Sequence, residues 1–185
     1  GTTSDAVTER ETKNRQLARK AAAEGFVLLK NDEHFLPLPK GIRIGLYGAG
    51  AIKTIRGGTG SGDVNERDCV NIYQGMINAG YEVTSKKWLD DYDAQYIQAR
   101  ENWRDKIFKS LPEYDNNFFR AYSAAQFQMP CGSAIDVEAA RADGADIAIF
   151  VLSRIAGENA DRSVSEGDYL ITAEAKGIPL VQEMA

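Results

Sequence analysis

Two segments bring together residue types that could do chemistry. Between residues 153 and 162 the chain reads Ser153-Arg154-Ile155-Ala156-Gly157-Glu158-Asn159-Ala160-Asp161-Arg162, with two acids and two arginines packed into a short stretch. A carboxyl group among such neighbours can have its protonation tuned for acid/base work. The same charges can equally form a structural ion-pair cluster of little energetic value. On spacing alone the two readings are even. The other segment runs from Gly48 to Asp63 and includes Gly48, Gly50, Gly57, Gly58, Gly60 and Gly62. Phosphate cradling is the first chemistry such a loop suggests, but the details disagree. A dinucleotide fingerprint has glycine where Lys53 stands, and a P-loop has Lys and Ser/Thr after its last glycine, where this chain has Asp63. An acid there repels phosphate. A turn without a ligand is the remaining plain alternative.

Composition narrows the chemistry further. The net charge is −5 with both signs interspersed, so a phosphate-backbone partner and nucleic-acid binding are not expected. His34 is the only histidine, and it lies in the polar stretch Asn31-Asp32-Glu33-His34, which argues for a surface residue and against a Ser-His-Asp hydrolase. With Cys69 and Cys131 as the only cysteines, a structural zinc site of about four Cys/His ligands is excluded. Both cysteines are expected as free thiols in packed positions, with a disulfide the alternative. No metal and no cofactor are implied. No apolar run approaches the roughly 18 residues of a membrane span, so no membrane partner is expected. The polar start Gly1-Thr2-Thr3-Ser4-Asp5 shows no secretion signal and gives a cytoplasmic location as the expectation.

The elements that must position these loops follow from periodicity. Ala18, Ala22, Phe26 and Leu29 predict a helix over residues 9–30, ended by Asn31-Asp32 and the prolines at 37 and 39. Ile42 to Tyr47 reads as a short strand, and the glycine-rich segment after it as an irregular loop, since glycine costs about 1 kcal/mol in a regular element. A second helix is expected from a cap at Asn65, through Val70, Tyr73 and Ile77, to Gly80. Residues 81–84 form a strand. Tyr92, Tyr96, Ala99, Trp103 and Ile107 then repeat at helical spacing from Asp90 to Lys109, a stripe better suited to core packing than to sugar stacking. Residues 110–135 read as a polar, aromatic-rich connection, a lobe over a neighbouring domain. Asp136 caps a helix ending at Gly144. Ile147 to Leu152, six apolar residues in a row, has the look of a parallel strand buried on both faces. Strands alternating with helices predict an α/β fold: a mostly parallel sheet with helices on both faces, here only part of a complete domain. In such a sheet ligands sit beyond the carboxyl ends of the strands, where both loops emerge.

Taken in order, these segments resemble glycoside hydrolase family 3, the β-glucosidase type. Residues 21–31 (Ala-Ala-Ala-Glu-Gly-Phe-Val-Leu-Leu-Lys-Asn), followed by Leu36-Pro37-Leu38, are similar to the opening of the family's α/β sandwich domain. Ile44-Gly45-Leu46-Tyr47-Gly48 resembles its first strand, and Gly57-Gly58-Thr59-Gly60-Ser61-Gly62 its glycine loop, which reaches toward the sugar. Arg154 to Arg162 resembles the loop that carries the acid/base glutamate, with Asp168-Tyr169-Leu170-Ile171-Thr172 as the usual continuation. The likeness covers roughly residues 15–172. Asn159 and Ala160 stand where the family's loop usually has a glycine and the residue after it, which leaves Glu158 in register but reduces its backbone freedom. After Thr172 the chain departs from the long helix and strand of the family.

The resemblance implies one α/β sandwich domain over residues 1–185, without the (β/α)8 barrel that carries the nucleophilic aspartate; a chain of this length could not hold such a barrel. It implies a retaining glycosidase acting on β-linked glucosides or oligosaccharides, inactive without the barrel as partner. In such enzymes a carboxylic acid and a carboxylate stand roughly 5–5.5 Å apart across the glycosidic bond. Glu158 takes the acid/base role in this reading. Ser61, Gly60 and Thr59 take the substrate contacts, and Arg162 pairs with Asp161 to hold the loop's shape. A noncatalytic sugar-binding module and a nucleotide-binding α/β module are the alternatives.

Overall fold

A computed structural model describes residues 6–64, 68–158 and 161–171. The chain divides into two compact units, Gly1–Leu38 and Pro39–Ala185. The first unit is built on helix α1, Glu9–Gly25. Thr8 caps it: the Glu11 backbone N–H donates to the Thr8 hydroxyl at 3.2 Å, and the Thr8 N–H donates back to the Glu11 carboxylate at 2.7 Å. The helix stops at Gly25, short of the predicted residue 30. Phe26 has extended backbone angles and is 82% exposed, so it and Leu29 are not the end of a helical stripe. The poor helix former Gly25, followed by Phe26-Val27, ends the element where the alanines run out. His34 lies exposed in the short 3-10 turn Asp32–His34, as expected.

Among its described residues the second unit holds a three-stranded parallel sheet in the order β2-β1-β3, with β1 Arg43–Tyr47, β2 Glu82–Val83 and β3 Ile147–Phe150. Ile44 pairs with Val83 on one side and Ile147 on the other, and Tyr47 lies opposite Phe150. Ile44, Gly45, Leu46 and Tyr47 are all buried, so the strand covered on both faces is β1. The six-residue apolar run was expected to fill that place. Among the described strands it pairs only with β1, and as β3 it is four residues long and partly exposed. The strand β2 is brief, and the buried Ser85 takes over where it ends. Its hydroxyl accepts from the Leu46 N–H at 2.8 Å and donates to the Leu46 carbonyl at 2.6 Å, completing the hydrogen bonding of the central strand.

Between the strands lie α2 Ala49–Ile52, α3 Ile72–Asn78, α4 Lys86–Ser110, α5 Phe118–Ala124 and α6 Val137–Ala142. The glycine-rich segment is therefore not irregular throughout, since α2 occupies its start. Helix α3 begins at Asn71, whose side chain accepts from the Gln74 N–H at 2.7 Å. The expected cap, Asn65, lies outside the described residues, and Val70 precedes the helix. Asp136 caps α6 as expected. Helix α4 does two jobs. Its first half packs on β1, where Trp88 meets Tyr47 edge to face at 5.6 Å and stacks on the buried Tyr92, with Leu89 buried beside them in sequence. Its second half buries Ile107 against Ala121 and Ala125 at α5, with Trp103, Leu111, Tyr114 and Tyr122 around them. The aromatic stripe is core, as its spacing suggested. The 110–135 segment is more than a connection: a 3-10 turn, Leu111–Tyr114, and α5 fold it back on α4. Two helical turns are too short to show a clear period. Both cysteines are free thiols, but Cys69 is exposed rather than packed.

Candidate active site

Because β1 and β3 are parallel neighbours, the segments that leave their carboxyl ends emerge side by side. The glycine loop and the acidic loop are then zipped together. The Thr59 N–H donates to the Ala156 carbonyl and the Glu158 N–H donates to the Thr59 carbonyl, each at 3.1 Å, forming a parallel bridge between Thr59 and Gly157. Backbone contact this close needs glycine. A Cβ on Gly58 would sit 2.2 Å from the Ala156 carbonyl oxygen. Gly60 has φ of 114°, and a Cβ there would lie 2.8 Å from the carboxyl carbon of Glu158.

The bridge delivers Glu158 to Ser61 from 97 residues away in sequence. The Ser61 N–H donates to Glu158 Oε1 at 3.1 Å, and the Ser61 hydroxyl donates to the same oxygen. Thr59 is buried in the bridge, while Ser61 and Glu158 are exposed. The residues singled out from sequence as catalytic and substrate-binding thus form one cluster. The two Ser61 donors, hydroxyl first and N–H second, hold the Glu158 carboxyl below the ordinary glutamate range, against a small opposing effect of burial. Thr59 and Ser61 direct their N–H groups within the chain, and a carboxylate lies across the loop. Both facts argue against a phosphate cradle.

The arginines do other work than expected. Arg162 does not pair with Asp161. Its Nε donates to Asp168 Oδ1 at 2.7 Å and another nitrogen donates to the Asp168 carbonyl at 2.6 Å. Arg154 donates to the carbonyls of Asp168, Ser153 and Leu170. The turn over residues 163–170 curls back so that Asp168, not the adjacent Asp161, meets the Arg162 guanidinium. Asp168 also accepts the N–H and hydroxyl of Ser163, and these donors, then Arg162, push its pKa down. Asp168 was not picked out as a site residue. The Ser163, Gly167 and Asp168 turn residues following Arg162 were the available signal.

Beside Glu158 lies a crevice of 20 Å³ bordered by Thr59, Trp103, Tyr122 and Phe127, with room for about one water and not for a sugar. A larger cleft of 360 Å³ is lined by Ser153, Arg154, Asp161, Arg162 and Asp168, and Glu158 is not among its walls.

Residues 26–182 match the family described as Glycosyl hydrolase family 3 C-terminal domain. The chain belongs to glycosyl hydrolase family 3. It is 34% identical over 166 residues to beta-glucosidase A of Butyrivibrio fibrisolvens, a match covering 90% of this chain and 18% of that protein. A beta-glucosidase of Ruminococcus albus is 31% identical over 165 residues, covering 87% of this chain and 15% of the relative. Among solved structures, beta-glucosidase 3B from Thermotoga neapolitana in complex with α-D-glucose superposes with a TM-score of 0.66 and 29% identity, covering 90% of this chain and 21% of that one. A beta-glucosidase from Paenibacillus barengoltzii gives a TM-score of 0.63 at 26% identity, covering 94% and 17%. The chain therefore spans about a fifth or less of the length of these relatives, and the family 3 C-terminal fold accounts for its parallel sheet and flanking helices.

Proposed function

We propose that this chain supplies the acid/base of a retaining glycosidase cleaving β-linked glucosides, with Glu158 in that role and a barrel domain supplying the nucleophile. The observation that carries the reading is the meeting of Glu158 with Ser61 where β1 and β3 end. The relatives' names, and the glucose bound in the Thermotoga enzyme, support a glucoside as the substrate. Glu158 as an acid protonates the departing glycosidic oxygen; as the resulting carboxylate it then takes a proton from the attacking water. With Ser61 donating to it, Glu158 stands ionised at neutral pH and has no proton to give. Two changes raise its pKa together: a second wall that removes water, and transfer of the Ser61 hydroxyl from Glu158 to a sugar hydroxyl. Ser61 is in this account both a substrate contact and the group that releases the acid. Thr59 and Gly60 shape its approach.

The test is a leaving-group series on the barrel-containing protein. Glu158→Gln lowers kcat/KM for alkyl glucosides by about 10²–10⁴-fold and for dinitrophenyl glucosides far less, because an acidic phenol leaves without a proton. Equal loss across the series would move the role elsewhere, with Glu166 the next carboxyl to examine.

A further inference from the structure

We propose that Arg100 is a positioning residue for the acid/base: seated against Trp103 and Phe127, it holds Asp63 and so fixes the turn that presents Ser61 to Glu158. The inference rests on the reading of Glu158 as the acid/base. Arg100 and Trp103 are three residues apart on α4 and share a face. The guanidinium carbon lies 4.9 Å from the Trp103 ring centre and 5.1 Å from that of Phe127. The platform is itself fixed. The Trp103 indole N–H donates to the Ala125 carbonyl, and its ring meets Tyr122 at 5.5 Å and Phe127 at 5.6 Å.

From this seat Arg100 donates to Asp63 Oδ2 at 3.0 Å. Asp63 is well placed to transmit that hold. Its own N–H donates to the Gly60 carbonyl at 3.1 Å, closing the four-residue turn in which Ser61 comes second. The linkage runs from α4 to Asp63, to Ser61, to Glu158. Trp103 and Phe127 also border the small crevice in which Glu158 stands, so the anchor and the acid share a wall. The Arg100 and Asp63 side chains keep 32% and 50% of their accessible surface, and a pair this exposed contributes little to global stability. Its effect is therefore expected in the placement of Ser61 rather than in the melting temperature.

Arg100→Met and Asp63→Asn in the barrel-containing protein test this, with Asp63→Asn deciding if the methionine variant fails to fold. Each is expected to lower kcat/KM on alkyl glucosides about tenfold, below the ~10²-fold that a 1 Å misplacement can cost. Dinitrophenyl glucosides should lose much less, and either change should add little on top of Glu158→Gln. Arg100→Lys, which keeps the charge, should recover part of the loss. Unchanged kinetics, or equal loss across all leaving groups, would overturn the inference even where Glu158→Gln shows its leaving-group dependence. Failure of the underlying reading shows separately, as equal loss in Glu158→Gln itself.

Discussion

Glu158 and Asp168 are held in much the same way. Each carboxylate accepts both the backbone N–H and the hydroxyl of one serine, Ser61 for Glu158 and Ser163 for Asp168, and both pKa values are lowered in consequence. Two differences separate them. Asp168 adds the Arg162 guanidinium at 2.7 Å, and its serine lies five residues away; among the described residues Glu158 has only its serine, which comes from another loop 97 residues away. A carboxylate pinned by a cation and a local turn is locked in its charged form. A carboxylate clamped only by a serine from a different loop can be released when that serine finds another partner. The first arrangement builds a loop. The second suits a group that must gain and lose a proton.

Breaking the comparison begins with the largest effect. This chain by itself should hydrolyse no nitrophenyl glucoside above background, because Glu158 is ionised and the crevice beside it is too small for a sugar. Saturable hydrolysis that vanishes in Glu158→Gln would show that the described loops suffice. Next comes stability. Asp168→Asn should lower Tm by several degrees, and Glu158→Gln by less. Both carboxyls have folded pKa values below their unfolded ones, so each contributes stability that is full above the ordinary carboxylate pKa of about 4 and is lost as pH falls through the lowered value. Denaturation curves between pH 6 and pH 2 should show a shallower acid limb in Asp168→Asn than in Glu158→Gln. The reverse order would mean that Arg162 adds nothing to the clamp. The smallest effect sharpens the account: Ser61→Ala in the barrel-containing protein should reduce kcat/KM about 2- to 12-fold, the worth of one neutral hydrogen bond, with Tm almost unmoved. Full activity with a lower Tm would make Ser61 a turn residue only.

Much of the architecture was legible in the sequence because it rests on periodicity. The α4 stripe through Tyr92 and Ile107, the Asp136 cap and the β1 strand all follow local patterns that the structure keeps. What was missed depends on neighbours. Burial on both faces was assigned to Ile147–Leu152 from hydrophobicity, yet among the described residues it is β1, flanked by β2 and β3, that is buried throughout, because burial of a strand is decided by its neighbours as well as by its own residues. The apolar spacing extends the α1 stripe to Leu29, whereas the helix ends at Gly25, a stop that spacing does not encode. At the site, the two loops stand out in the sequence as glycine-rich and charged, but the choice of Glu158 and Ser61 within them came from the resemblance to family 3 and not from spacing. That Arg162 chooses Asp168 over its neighbour Asp161, and that Arg100 reaches Asp63, depends on the path of a turn and on a helix face that one-dimensional spacing does not carry.

The acid/base role of Glu158 is tested most directly by the product that Glu158→Gln makes with azide. Azide is already an anion and needs no base, so it can take the place of the activated water in releasing the sugar from the nucleophile. In the barrel-containing variant, with dinitrophenyl glucoside as donor, the account predicts that added azide restores turnover and yields β-glucosyl azide. No restoration and no azide product, together with a loss equal for every leaving group, would contradict it.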